Sequence, residues 1–460
     1  MTLTRTPSTN ADRDARLDTR RALVGTGFGN ALEWFDWAIY ATFAPFFAAS
    51  FFNSENPVSA FLSTLVVFAV GFVGRPVGGF IFGRLGDRIG RRTAMSLTVG
   101  LIAAGGLLIG ISPTYDTIGV WASVILLVAR LTQGLAYGGE QPTAGAYLSE
   151  RAPAAKRGLW SSLIYSSGTV GVMAGMLLGA ILSATLGAEA MAAWGWRVPF
   201  IIAGLGGLYA LWMRRKMPET EQFTEQIQVA AADGGAAPGA SKPGFFADMW
   251  TMRRSVLQVI GLTVGMTVAY YYWVVAASSY SISVLKADPT ATLLAGVGSN
   301  IVFIVILPFW GMLSDRIGRR PVMLFGYIGL IATLFPLSSL IDGNPVHLFL
   351  AMSGGAVFLT AILSISPAVM CEIFPTRVRT VGVAVPLAVA TALFGGTSLY
   401  LQTWLTTSYG SHAFLIYLSV LLLISAFTVF RLPETKGRVL TDDTETFTES
   451  VRTVAGAARS

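Results

Sequence analysis

The chain has 460 residues, of which 53% are apolar and only 12% charged, with a formal net charge of +7. An ordinary soluble domain carries roughly 25% charged residues, so the composition excludes a disordered chain and leaves too little charge to cover a soluble globule of this size. One cysteine, Cys371, and two histidines supply neither a disulfide framework nor a zinc cluster, and no cofactor is expected.

Long uncharged apolar runs predict membrane helices, because a bilayer span needs about 20 such residues. They lie near 22–46, 58–82, 93–112, 118–148, 159–183 and 197–213, then near 255–283, 291–312, 321–341, 346–371, 380–405 and 412–431. The predicted fold class is an all-α membrane protein with twelve transmembrane helices in two six-helix halves. Its expected organisation is a polar cytoplasmic segment 1–21, an N-terminal bundle 22–215, a linker 216–254 containing GGAAPGASKPG, a C-terminal bundle 255–432 and a polar tail 433–460. The first 21 residues lack the apolar core of a cleavable signal peptide.

Lys and Arg set the expected orientation. Twenty-eight of the 32 fall before the first span, in every second loop and in the tail, leaving only Arg75, Arg130, Arg197 and Lys286. That asymmetry predicts a multi-pass protein of the cell (inner) membrane with both termini cytoplasmic. Its expected partner is the lipid bilayer, and its expected state is a monomer. A nucleic-acid patch would not be partitioned loop by loop, so no nucleic acid is expected.

The halves repeat each other. GRLGDRIGRR at 83–92 returns as GMLSDRIGRR at 311–320, the Glu150, Pro153, Arg157, Gly158 set returns as Glu372, Pro375, Arg379, Gly382, and MPET at 217–220 returns as LPET at 432–435. Matches at nearly one spacing indicate parallel six-helix repeats around a central linker.

With these motifs the sequence resembles the major facilitator superfamily over nearly its full length. ARLTQGLAYGGE at 129–140 is similar to that superfamily's fourth-helix motif. EWFDWAIY at 33–40, RPVGG at 75–79, YLSERAP at 147–153 and WGWRVPF at 194–200 resemble its metabolite:proton symporter family, and PTYDTIGVWASVILLVARLTQGL at 113–135 is most similar to the bacterial 2-oxoglutarate permeases. The resemblance implies uptake of an organic acid, or of proline or betaine. One departure stands out: those permeases carry a lysine two positions before the glutamate of helix 10, where this chain has Met370.

Charges at bilayer depth are costly and are functional candidates by default. Here they are Glu33, Asp36, Arg75, Arg130 and Glu140, all in the N-terminal half. At 1.5 Å per residue from the cytoplasmic ends, Glu33 lies roughly 15 Å deep, Asp36 about 20 Å, Arg75 about 12 Å and Arg130 about 27 Å. Glu33 is thus level with Arg75, and Asp36 is nearest Arg130. Asn30, Glu33, Trp37 and Tyr40 share one stripe, and Arg130, Gln133, Tyr137 and Glu140 another, which predicts two polar faces on one cavity.

Proton coupling needs a carboxylate that is neutral at one stage and charged at another. Arginine keeps its proton and serves as the fixed charge, with a planar fork that matches a substrate carboxylate. Asp36 is therefore expected to carry the proton with Arg130 as modulator, and Glu33 with Arg75 to form a second pair. Proton-coupled sugar porters of the superfamily use a helix 1 aspartate beside a helix 4 arginine, which supports the pairing. The expected substrate contacts are Arg130, Arg75, Trp37, Tyr40, Gln133, Tyr137, Tyr270, Trp273 and Asn300. Tyr270 and Trp273 share one helical face, with Tyr271 on another. Gly83, Asp87, Arg88, Gly90, Arg91, Gly311, Asp315, Arg316, Gly318 and Arg319 are expected to close the cytoplasmic side, with Glu140 bracing that gate. Arg197 is expected to anchor the outer face.

Other classes find less support. No HExxH, GxSxG or phosphate-cradling P-loop occurs, so neither a membrane enzyme nor an ATP-driven pump is expected. The reading is a proton-coupled symporter of a small organic carboxylate, 2-oxoglutarate-like, shikimate-like or aromatic, with proline or betaine uptake as the alternative.

Overall fold

A computed structural model of the chain describes residues 9–53, 56–89, 91–138, 152–215 and 252–438. Among these, twelve long helices follow one another, with one short helical turn, Tyr115–Ile118, before the fourth: α1 (Thr9–Phe51), α2 (Pro57–Ile89), α3 (Arg91–Ile111), α4 (Val120–Tyr137), α5 (Arg157–Ala190) and α6 (Arg197–Arg215). The second set is α7 (Arg253–Ser283), α8 (Pro289–Ile317), α9 (Arg319–Ser338), α10 (Pro345–Glu372), α11 (376–409) and α12 (Ser411–Arg431). The end of the fourth predicted span, most of the linker and the tail beyond Arg438 lie outside the described residues.

Local chemistry sets several ends. Asp288 caps α8, its Oδ2 accepting from Ala291 N at 2.7 Å, and Asn344 caps α10 by accepting from Val346 N at 2.9 Å. Each precedes a proline at the first helical position, where the missing N–H costs nothing. The repeated basic motif is helical rather than a loop: α2 runs to Ile89 and α8 to Ile317. Its Leu and Arg favour helix, and in the second copy the break comes only at Gly318, whose φ of 108° suits glycine.

The pairing of helices repeats with the sequence. In the N-terminal half α1 packs on α5, α2 on α4 and α3 on α6; in the C-terminal half α7 packs on α11, α8 on α10 and α9 on α12. The halves meet along α5 with α8 and α2 with α11, contacts that exchange under the same twofold relation. Helix α7 lies at the centre. Its apolar stretch is 94% buried, against 33–67% in the nine other spans that length and hydropathy alone identify.

Candidate functional site

Helices α1, α2 and α4 of the N-terminal half enclose a polar cluster. The Tyr137 hydroxyl donates to Asp36 Oδ2 at 2.6 Å and lies 3.2 Å from the backbone oxygen of Glu33. Gln133 Nε2 donates to both Asp36 oxygens, at 3.0 and 3.3 Å, while Gln133 Oε1 accepts from Arg130 Nη1 at 2.9 Å. Asp36 and Arg130 are therefore joined through an amide and not by direct contact. Arg130 has no exposure, and its guanidinium stacks 4.1 Å from the Trp37 ring and 4.2 Å from that of Tyr40. Arg75 stacks on the same indole at 4.2 Å and on Phe72 at 4.4 Å. The negative ring faces replace part of the hydration that both cations give up.

Glycines bring these helices together. A Cβ on Gly134 would meet Gly71 O, one on Gly78 would meet Leu135 O, and one on Gly138 would meet Arg75 O. With α2 and α4 in backbone contact, the polar stripe of α4 turns into its own half. Gln133 packs against Gly105 of α3, where a Cβ would stand 2.6 Å from its Cγ.

The main cavity, of ≈ 100 Å³, lies between the halves. Its N-terminal wall holds Asn30, Trp34, Arg75 and Tyr165, and its C-terminal wall holds Thr267, Tyr270, Tyr271, Ser366, Met370, Cys371 and Thr391, with no charged side chain among the described lining of that half. Asn30 is held by bonds to Ile164 O at 2.8 Å and Ser167 Oγ at 2.9 Å, and accepts from Trp34 Nε1 at 3.2 Å. Trp34 meets Tyr270 edge-on at 5.4 Å, and Tyr165 lies 6.1 Å from Tyr270. Glu33, Trp34, Trp37, Arg75 and Tyr271 line an adjoining cleft, so Arg75 borders both spaces.

Several expected contacts stand elsewhere. Arg130, Gln133 and Tyr137 are buried within the N-terminal half, outside the cavity wall, because their stripe on α4 faces α1 and α3, and Tyr40 of α1 is buried beside Arg130. Trp273 packs on Gly355 of α10, whose missing side chain admits the indole. Asn300 donates to Met176 Sδ at 3.4 Å across the interface of the halves. Tyr40 donates to Thr64 O at 3.0 Å.

At the end of the molecule that carries the second basic motif, Asp315 accepts from Gly158 N at 2.9 Å and Leu159 N at 3.0 Å, capping α5 from the other half. A Cβ on Gly158 would lie 2.6 Å from Gly311 O, so two glycines permit the approach. Arg319 donates to Ser314 Oγ at 2.7 Å and Asp315 Oδ1 at 2.6 Å, and Arg157 pairs with buried Glu372 at 2.9 Å. Glu434 accepts from Arg319 N and Arg320 N, its carboxylate filling the space beside Gly318. Arg316 differs from expectation: its side chain is exposed and only its backbone oxygen is engaged, by Lys436 Nζ at 2.6 Å. Gly90 and Glu140 lie outside the described residues, as do the side chains of Asp87, Arg88 and Arg91 and the surroundings of Gly83.

The family model described as sugar (and other) transporter matches residues 23–237 and 240–447. The chain belongs to this transporter family, within the major facilitator superfamily. It is 36% identical over 432 residues to the alpha-ketoglutarate permease of Escherichia coli K12, covering 92% of this chain and 96% of that protein. It is 32% identical over 433 residues to the proline/betaine transporter of Salmonella typhimurium, covering 92% of this chain and 85% of the relative. The crystal structure of a D-xylose-proton symporter superposes with a TM-score of 0.69 over 91% of this chain and 99% of the other, at 19% identity, which shows a shared fold. This family member is accordingly a multi-pass membrane transporter and not an enzyme.

In this transporter the sequence pointed to Asn30, Arg75, Tyr270 and the position of Met370 but missed Trp34, Tyr165 and Tyr271 as cavity residues. Aromatic and thioether side chains in a membrane helix look the same whether they face lipid, a neighbour or a cavity. Tyr271 stands where α7 widens into a π-helical turn, Tyr271–Ala276, a form common at functional sites that only the structure reveals. Arg197 stacks on Trp196 and donates to Gly110 O and Ser112 O, which caps the last carbonyls of α3.

Proposed function

We propose that this transporter is a proton-coupled symporter that imports a small organic carboxylate by alternating access. The observation that carries the reading is the buried set Asp36, Gln133, Arg130 and Tyr137, linked to cavity-lining Arg75 through the Trp37 ring on which both arginines stack. A carboxylate at this depth is tolerated only with partners, and these partners leave it able to take up a proton. Arg75 offers a substrate carboxylate two parallel hydrogen bonds from its planar fork. The motif-bearing side is cytoplasmic in this reading, because 28 of the 32 basic residues fall there. The Asp315–Gly158 contact then closes the cytoplasmic exit, and the protein works as a monomer.

The substrate has one dominant anionic end. Met370 lines the cavity at the position where the resembling 2-oxoglutarate permeases carry lysine, and the other lining of the C-terminal half is uncharged. A second carboxylate there would be buried without a cation, which costs several kcal/mol in an apolar site. A second reading is favoured by one observation: Trp34, Tyr165 and Tyr270 form an aromatic corner in the same cavity that Arg75 lines. Aromatic corners bind quaternary ammonium groups, so a betaine-like zwitterion fits the same cavity.

Proteoliposomes with an internal pH dye, offered 2-oxoglutarate, citrate, shikimate, lactate, benzoate, proline and betaine, test both. Internal acidification with one acid, absent in Asp36→Asn, is the expected result. Uphill accumulation driven by a pH gradient in Asp36→Asn would exclude Asp36 as the proton carrier.

A further inference from the structure

The hydroxyl of Tyr137 has one proton and two acceptors within reach. Its oxygen lies 2.6 Å from Asp36 Oδ2 and 3.2 Å from the backbone oxygen of Glu33, one turn earlier on α1. Gln133 has no such freedom. Arginine is a donor only, so Arg130 Nη1 fixes the amide oxygen of Gln133 and leaves the Nε2 hydrogens facing Asp36.

The consequence follows from counting protons. Ionised Asp36 accepts from Tyr137 and Gln133 together. Neutral Asp36 carries an O–H of its own, for which Gln133 offers no acceptor, so the Tyr137 oxygen receives it. The tyrosine proton must then leave Asp36, and the Glu33 carbonyl is the acceptor in range. We propose that Tyr137 is a hydrogen-bond switch: its proton points to Asp36 when that carboxylate is charged and to the backbone of α1 at Glu33 when it is neutral.

This rests on the reading that Asp36 carries the transported proton. In that case the proton arriving at Oδ2 forms Asp36 O–H···Oη, the tyrosine O–H rotates to Glu33 O, and deprotonation reverses both movements. The bond gained by α1 falls on the turn that bears Glu33 and Trp37, both of which border the cleft beside Arg75. Tyr137 is thus a positioning residue that joins the buried carboxylate to the cavity wall. Among the described residues, the charged and titratable groups around Asp36, Arg130 and Tyr137 are Glu33 and Tyr40 on α1 and Arg75 on α2; α3 presents Gly106, whose Cβ position is 3.5 Å from Asp36 Oδ1.

Infrared difference spectra of the lipid-reconstituted protein across a pH titration test the switch without a substrate. The Asp36 acid carbonyl is the band absent in Asp36→Asn. A tyrosine band that rises and falls with it, and disappears in Tyr137→Phe, is the expected result. In Tyr137→Phe the midpoint of the acid band moves to higher pH by about one unit, the difference between a hydrogen bond to a charged and to a neutral acceptor. The wild-type tyrosine band needs no variant, so a poorly folding Tyr137→Phe does not spoil the test. If the Asp36 band titrates while every tyrosine band stays still, the switch is wrong and Asp36 remains the proton carrier. If no acid band is lost in Asp36→Asn, Asp36 does not titrate and both ideas fall together.

Discussion

Arg75 is the one cation among the described residues that borders both the main cavity and the cleft beside the buried cluster. Its guanidinium lies over Trp37 and Phe72, which hold the planar group in one orientation. Lysine would keep the charge but lose the fork and the stacking. Arg75→Lys is therefore expected to raise KM for the transported acid roughly 10- to 100-fold, matching the loss of about 1.5–3 kcal/mol for a hydrogen bond to a charged group. Uptake of the labelled acid against concentration measures it, and an unchanged KM would remove Arg75 from the binding site. The residue scale also shows where periodicity stops being informative. Tyr270 and Tyr271 both line the cavity although consecutive residues diverge on a helix, while Trp273 turns to Gly355.

Between elements, the contact of α5 with α8 has the most specific chemistry. The first amides of α5 lack helical partners, and the Asp315 carboxylate supplies them from the opposite half. Asp315→Asn keeps an acceptor but loses the charge, a change of about 0.5–2 kcal/mol at a helix N-terminus. That shifts the population toward an open motif side by about 2- to 30-fold. Cys371, the chain's single cysteine, is buried in the cavity wall and reports the change directly. Its alkylation by a membrane-impermeant maleimide applied from the motif side should accelerate by that factor in Asp315→Asn. Equal rates in the two proteins would show that this contact does not hold the gate.

Across the whole molecule, the symmetry of the backbone contrasts with the asymmetry of the charge. Helix pairs repeat between halves, and the two interfaces exchange under the same relation. Yet the intramembrane carboxylates and arginines of the site all lie in the N-terminal half, and the C-terminal half contributes neutral walls. Under the proposed symport, the N-terminal half would handle charge and proton while the C-terminal half closes over the substrate. A bound substrate must then cover the wall that holds Cys371. At ten times its Kd, the transported compound should slow Cys371 alkylation in the wild type by about tenfold, following the fraction left unoccupied. Alkylation indifferent to every compound that is transported would place the substrate elsewhere.

Composition, span count, internal repeat and the rarity of buried charge were enough to determine the helical membrane fold, its two halves and the short set of intramembrane charges. These are properties of a bilayer, which demands long apolar helices and penalises each charge separately, so they can be read one residue at a time. The partners of those charges were decided only in three dimensions. Glycine contacts between α2 and α4 turned the fourth-helix stripe inward, Gln133 came to stand between Asp36 and Arg130, and aromatic side chains of α1, α5 and α7 formed the cavity wall. Periodicity names the face of a helix but not the neighbour that face will meet, and that choice belongs to packing among helices that the sequence presents separately.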